Sequence, residues 1–188
     1  MSCKEQAYYR TLIQVTKAVN RSLDPAKALA AVAEAAATAM EVKACVIRIL
    51  DKGKTNLLPG ASHGLSAGYL RKGPVEVAKS GLDRDVLAGK TVYLKNITEG
   101  GAFQYPERAK EEGLCSALVV PLTLPGGRII GVMRVYTASE REFSAEEIDF
   151  LTSIAEISAM SIENAMLHQA LKRDFDLSTE FIYRTFED

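Results

Sequence analysis

The sequence predicts an α+β fold in which an antiparallel β-sheet carries the N- and C-terminal helices on one face. Three observations lead there. Helical periodicity fills two stretches at the start and one at the end of the 188 residues. Short β-branched runs joined by turns fill the middle, and the alternating strand and helix units of a doubly wound sheet are missing. With 47% apolar and 25% charged residues the chain has the composition of a globular protein, not of a disordered, collagenous or disulfide-scaffold one.

The first helix is expected over residues 4–21, where Tyr8, Leu12, Val15 and Val19 recur at spacings of four and three, with Tyr9 and Ile13 widening the apolar face. Residues 22–25 break the pattern, and Asp24 followed by Pro25 reads as an N-cap and a first-turn proline. A second, alanine-rich helix then runs to about Met40 with Leu29, Val32 and Ala36 as its buried stripe. Residues 45–50 form a β-branched strand, 51–54 a turn, and 56–63 the return strand, made irregular or placed at an edge by Pro59 and Gly60. Residues 64–90 are glycine-rich and mixed, with a short helix at 83–87; a strand follows at 92–94, and residues 98–113 read as loop and a helical turn.

Residues 114–122 and 129–136 make the clearest hairpin, turned by Pro125-Gly126-Gly127. Ser144 and Glu147 form a capping box, and Phe143 and Ile148 a hydrophobic staple. A long helix must open there. Its stripe of Ile148, Leu151, Ala155, Ser158, Ile162 and Ala165 is widened by Ile154, Ile157, Met160 and Leu167, and without Gly or Pro it reaches ~40 Å by Lys172. The whole chain, 1–188, reads as one domain: an N-terminal helix (1–23), a helix-plus-sheet core (24–143), and a long C-terminal helix with a tail (144–188).

Charge and cysteine content limit the function. Lys plus Arg number 23 against 24 Asp plus Glu, so no basic field attracts nucleic acid. Neither a signal peptide nor a membrane-spanning run is found, which points to the cytoplasm and away from membranes. Cys3, Cys45 and Cys115 are far apart, and with His63 and His168 they show no metal-binding spacing.

The chain resembles the GAF family of sensory domains over residues 24–171. The resemblance is carried by Ala44-Cys45-Val46-Ile47-Arg48-Ile49-Leu50-Asp51, His63-Gly64-Leu65-Ser66, Phe103-Gln104-Tyr105-Pro106-Glu107, and the run from Glu112 to Leu122. Ile130-Gly131-Val132-Met133-Arg134-Val135-Tyr136 and Ala159-Met160-Ser161-Ile162-Glu163-Asn164-Ala165 complete it. It implies helices on one face of the sheet and pocket-covering loops on the other, over a small-molecule site. The family's cyclic-nucleotide signature is not found in full, bilin-attachment contexts are absent, and a reductase of free methionine sulfoxide would need more pocket cysteines than Cys115. The ligand or cofactor is therefore unknown from sequence.

Seven residues are candidates for that site. Arg48 and Arg134 interrupt apolar strands and must be solvated by something. Either they offer guanidinium forks to an anionic ligand, or, the simpler reading, they lie on a partly wet sheet face and pair with nearby acids. Cys115 reads as an inert buried thiol, and Cys45 more so. His63, Tyr69, Phe103 and Tyr105 fall in the segments that would roof a pocket, where they line it or pack the loops. Three functions compete: a sensory or regulatory module acting on another signalling protein, a thiol-dependent redox enzyme, and a ligand-free dimerisation scaffold. Excess apolar surface on the first and last helices predicts a homodimer through them.

Overall fold

A computed structural model of the chain describes residues 3–21, 24–99, 101 and 103–186. Part of the expected break at residues 22–23 and the last two residues of the expected tail lie outside the described residues, as does the side chain of Cys3. Among the described residues six α-helices and six strands, with a 3-10 turn at Val77–Lys79, follow in the order α1 (Cys3–Arg21), α2 (Pro25–Ala39), β1 (Ala44–Leu50), β2 (Asn56–His63), α3 (Ala67–Leu70), β3 (Val75–Glu76), α4 (Gly81–Leu87), β4 (Val92–Leu94), α5 (Pro106–Glu111), β5 (Ser116–Thr123), β6 (Ile129–Thr137) and α6 (Ala145–Phe186). The strands form one sheet ordered β3-β2-β1-β6-β5-β4, with every pairing antiparallel. The expected fold class is the observed one.

Alternation divides the sheet into two chemically different faces, because successive strand side chains point to opposite sides. Cys45 and Ile47 of β1, Leu118, Val120 and Leu122 of β5, and Met133 and Val135 of β6 join α1, α2 and α6 in one apolar cluster. Ala44 and Val46, Ala117 and Val119, and Val132 and Tyr136 face the other way, into a second cluster roofed by Tyr69, Leu82, Val86, Phe103 and Ala109. On the first side α2 lies close to the sheet, as its alanines allow; Asp24 caps it by accepting from the Ala26 and Lys27 amides at 3.1 and 3.3 Å.

Pro59 and Gly60 act as anticipated from their backbone chemistry. The β1–β2 register slips between Ile47 and Arg48, which faces Pro59, so the irregularity is a bulge within the strand pair. The edge reading holds for this part of β2 too: the two-residue β3, a strand that the mixed pattern of residues 64–90 did not reveal, pairs with Asn56 and Leu57, and from Pro59 onward β2 has β1 as its one strand partner among the described residues. The helix expected at 83–87 begins two residues earlier, because Ser80 caps it at the Asp83 amide. Gly131 has a steric reason: a Cβ there would collide with the Arg48 carbonyl.

The C-terminal helix opens on the predicted capping box. The Ser144 amide donates to Glu147 Oε2 at 2.9 Å, and the Glu147 amide donates to Ser144 Oγ at 3.3 Å. Glu147 is also where α1 is fastened: Lys4 Nζ donates to its Oε1 at 2.9 Å, Tyr8 OH at 3.4 Å, and Arg141 adds an ion pair. Tyr8 stacks on Phe150 with ring centroids 4.1 Å apart. The helix continues past Lys172 to Phe186, 42 residues in all, or about 60 Å at 1.5 Å per residue.

Burial pushes the Glu147 carboxyl up, but Lys4, the Ser144 amide and Arg141 outweigh it and hold the group below its ordinary value. A carboxyl depressed by folding contributes stability that is present above its unfolded value, about 4.3, and lost as pH falls through the folded one. Glu147→Ala is expected to cost about 2 kcal/mol at pH 7, the scale of hydrogen bonds to a charged group. Urea denaturation at pH 7 and pH 3 checks it, since the gap between wild type and variant must shrink at the lower pH.

Candidate functional site

The loop-covered face of the sheet holds charge where an ordinary core would be apolar. Arg48 and Arg134 project from it with 2% and 1% of their surface exposed. Because Arg48 is opposite Val132 and Arg134 opposite Val46, the two stand diagonally on adjacent strands and share this face. The partly wet face expected for them is therefore corrected: α3, α4, α5 and their loops cover it, and the arginines are solvated by protein.

Each arginine is solvated differently. Arg134 Nη2 pairs with Oδ1 of Asp83, itself 0% exposed, from the first turn of α4. Burial acts to lower the Arg134 value, but Asp83 outweighs it and keeps the guanidinium charged. Arg48 Nη1 donates to the Leu57 carbonyl at 3.1 Å, and burial followed by repulsion from Arg134 lowers its value. Hydrogen-bonding capacity remains: Arg134 Nε, Asp83 Oδ2 and the Tyr69 hydroxyl are buried without a hydrogen bond of good geometry among the described residues, and Tyr136 approaches Tyr69 and Arg134 alike, raising both values. Burial first, then neighbouring Tyr136, pushes the Tyr69 phenol up.

Above these groups sits a third basic side chain. Lys72, just after α3, places Nζ 3.5 Å from the Tyr69 ring centroid, 5.4 Å from that of Phe103 and 5.3 Å from that of Tyr105. Loop contacts hold this cage in shape. Phe103 meets Tyr136 edge-on with centroids 6.4 Å apart. The Tyr105 hydroxyl donates to the Pro74 carbonyl at 3.2 Å, and the Glu76 amide donates to Gln104 Oε1 at 2.9 Å. The Ser66 amide and hydroxyl both donate to the Glu112 carboxylate at 2.6 Å, joining the start of α3 to the end of α5.

The fold thus brings together Arg48, Tyr69, Phe103, Tyr105 and Arg134 of the seven candidates. His63 ends β2 as an exposed residue opposite Cys45. Cys115 is half-buried and precedes β5, which starts at Ser116 instead of Leu114; its amide donates to the Thr137 carbonyl and its carbonyl accepts from Ile97. The buried position expected for Cys115 is corrected to a partly exposed one. Cys45 is buried on the helical side, and burial pushes its thiol up to about 12.

Asp83, Lys72 and Tyr136 were not singled out by sequence reasoning. For Asp83 a signal existed, since an arginine inside an apolar strand demands an acid and the short helix beneath it carries one. For Lys72, one lysine in a mixed glycine-rich stretch, there was none. Among the described residues no group of three or more His, Cys, Asp or Glu side chains is arranged to hold a metal ion. Nor is any described helix long and apolar enough to cross a membrane.

A family model described as "GAF domain" matches residues 22–163. The formate hydrogenlyase transcriptional activator FhlA of Escherichia coli (strain K12) is 25% identical over 177 residues, covering 91% of this chain and 25% of that protein. The methyl sulfide methyltransferase-associated sensor of Methanosarcina acetivorans is 26% identical over 132 residues, 68% of this chain and 13% of the sensor. The chain thus spans about a quarter of the activator and less of the sensor. Among solved structures, free methionine-R-sulfoxide reductase of Neisseria meningitidis superposes with a TM-score of 0.73 at 20% identity, covering 89% of this chain and 95% of that one, a likeness of fold.

Removing one partner of a buried ion pair leaves an uncompensated charge, which typically costs roughly 3–5 kcal/mol. Asp83→Asn should lose stability on that scale, and adding Arg134→Met should recover much of it. Urea midpoints of the single and double variants decide; equal losses would mean that the pair does not organise this face.

Proposed function

The chain belongs to the GAF domain family, and on that premise we propose that it is a regulatory module whose loop-covered cluster binds a small ligand and whose terminal helices carry the response. GAF domains occur in sensor and regulatory proteins, as the activator and the sensor that it matches illustrate. The observation that carries ligand binding is the unused donor capacity of Arg134 Nε and the Tyr69 hydroxyl. Buried polar atoms left unpaired are costly, and a ligand that pairs them recovers that cost. A ligand-free scaffold gains nothing from keeping them. The redox alternative has less support: exchange needs Cys45 or Cys3 as a thiolate partner for Cys115, Cys45 is buried on the other face of the sheet with its thiol pushed up to about 12, and the side chain of Cys3 lies outside the described residues.

A thermal-shift screen of the full chain against small metabolites tests the reading. A ligand at 100 times its Kd adds about 2.7 kcal/mol, so a specific binder raises Tm by several degrees. Tyr69→Ala must reduce the shift if the loop-covered cluster is the site.

The response surface is on the helices. Tyr9, Ile13, Met160, Met166, Leu167 and Leu171 are exposed large hydrophobic residues. At ~100° per residue Leu167 and Leu171 each lie within about 20° of Met160, a stripe along the exposed side of α6. Ile154, by contrast, is buried within the subunit and is no part of that stripe. A symmetric dimer in which two such helices pair covers it. Light scattering is expected to give twice the chain mass for the wild type and a monomer for Met160→Glu combined with Leu167→Glu; a monomeric wild type at micromolar concentration excludes this interface.

A further inference from the structure

The charges on the loop-covered face do not balance. Arg48, Arg134 and Lys72 converge there, and Asp83 is the one acid paired within the cluster among the described residues. Glu112, whose attraction reaches Lys72, is engaged at the rim by Ser66. The aromatic rings around Lys72 attract its ammonium but bring no countercharge. Arg48 uses one N–H on the Leu57 carbonyl and borders a cavity of about 220 Å³ lined also by Val46, Pro59, Gly60, Ala61 and Leu70. The β-bulge at Pro59 and Gly60 lies on the wall of this space.

We propose that this cluster is a site for a small oxyanion of the carboxylate class, received between Arg48, Arg134 and Lys72. The inference rests on the ligand-binding role argued above and names its chemical class. A carboxylate supplies the missing negative charge, an acceptor for Arg134 Nε and the Tyr69 hydroxyl, and two lone-pair edges for the Arg48 fork. Beside Arg48 the cavity leaves room for a small molecule against that guanidinium. A neutral isostere lacks the charge, and a cation meets two guanidiniums of its own sign.

Proton uptake accompanies binding. In the free site burial, then repulsion from Arg48 and Arg134, brings Lys72 down to about 6 against the opposing pull of Asp83 and Glu112. Tyr69, Tyr105 and Tyr136 also face this space. The amine is therefore mostly neutral at pH 7.5, and an anion beside it favours the ammonium. Affinity should consequently be highest below pH 6 and weaken as pH rises, by at most tenfold per unit.

Isothermal titration calorimetry of the full chain with sodium acetate tests this, with acetamide as the neutral control, sodium chloride holding ionic strength, and two buffers of different ionisation heat at pH 7.5. Acetate should bind with proton uptake and acetamide should not bind. Arg48→Met should weaken acetate at least tenfold. Lys72→Met should bind acetate more weakly and without proton uptake. Acetamide binding as well as acetate, or no acetate heat from a chain that circular dichroism shows to be folded, overturns the anion assignment. Uptake that persists in Lys72→Met overturns the role of Lys72. A folded chain that ignores acetate but is stabilised by a neutral or cationic fragment, with the shift lost in Tyr69→Ala, rejects the anion and keeps the regulatory reading; a chain stabilised by nothing rejects both.

Discussion

Much of the fold follows from one guanidinium. Arg134 stands on β6, between β1 and β5, where no water reaches it. A charge in that position is tolerable only with a partner, and a partner must come from an element lying over the sheet. Asp83 on α4 is that partner. Its position requires α4 to cross above β5 and β6, with Ser80 capping the helix and Leu82 and Val86 packed down on Val119 and Val132. The loops that carry Tyr69, Phe103 and Tyr105 close over what remains. The loop-covered half of the protein is thus organised by polar pairing as much as by apolar burial.

The helical half obeys different rules. Alanines let α2 approach the sheet, and the apolar stripes of α1 and α6 fill the gap between helices and strands. Its polar contacts are concentrated at Glu147, which joins the capping box of α6 to Lys4 and Tyr8 on α1 and to Arg141 in the segment before α6. One carboxylate therefore serves as both helix cap and interhelical clasp.

The two halves share β6. Arg134 and Tyr136 face the charged cluster, while Met133 and Val135 between them face α1, α2 and α6. A strand packed on both sides transmits displacement because cores resist compression. That is the physical route by which occupancy of the loop-covered cluster would reach the long helix.

What the sequence determined is what local chemistry dictates. The Asp24 and Ser144 caps, the 129–136 strand, the irregular Pro59-Gly60 step and the long C-terminal helix each depend on residues adjacent in the chain or one turn away, so their signals survive without knowledge of the fold. The aromatic candidates Tyr69, Phe103 and Tyr105 were likewise visible as loop residues of the right type. Tertiary structure alone decided which groups meet. Whether Arg48 and Arg134 lie wet or buried depends on α4 and the loops above them, up to 51 residues from their partners in sequence. Lys72 drew no notice because its meaning comes from three rings and two guanidiniums supplied by other segments. His63 looked equivalent to the aromatics, and its place at the end of β2 carries it outside that meeting point, as the place of Cys115 just before β5 does for the thiol that read as inert. Charge balance in a buried space is a sum over all elements that enclose it, and no local pattern contains that sum.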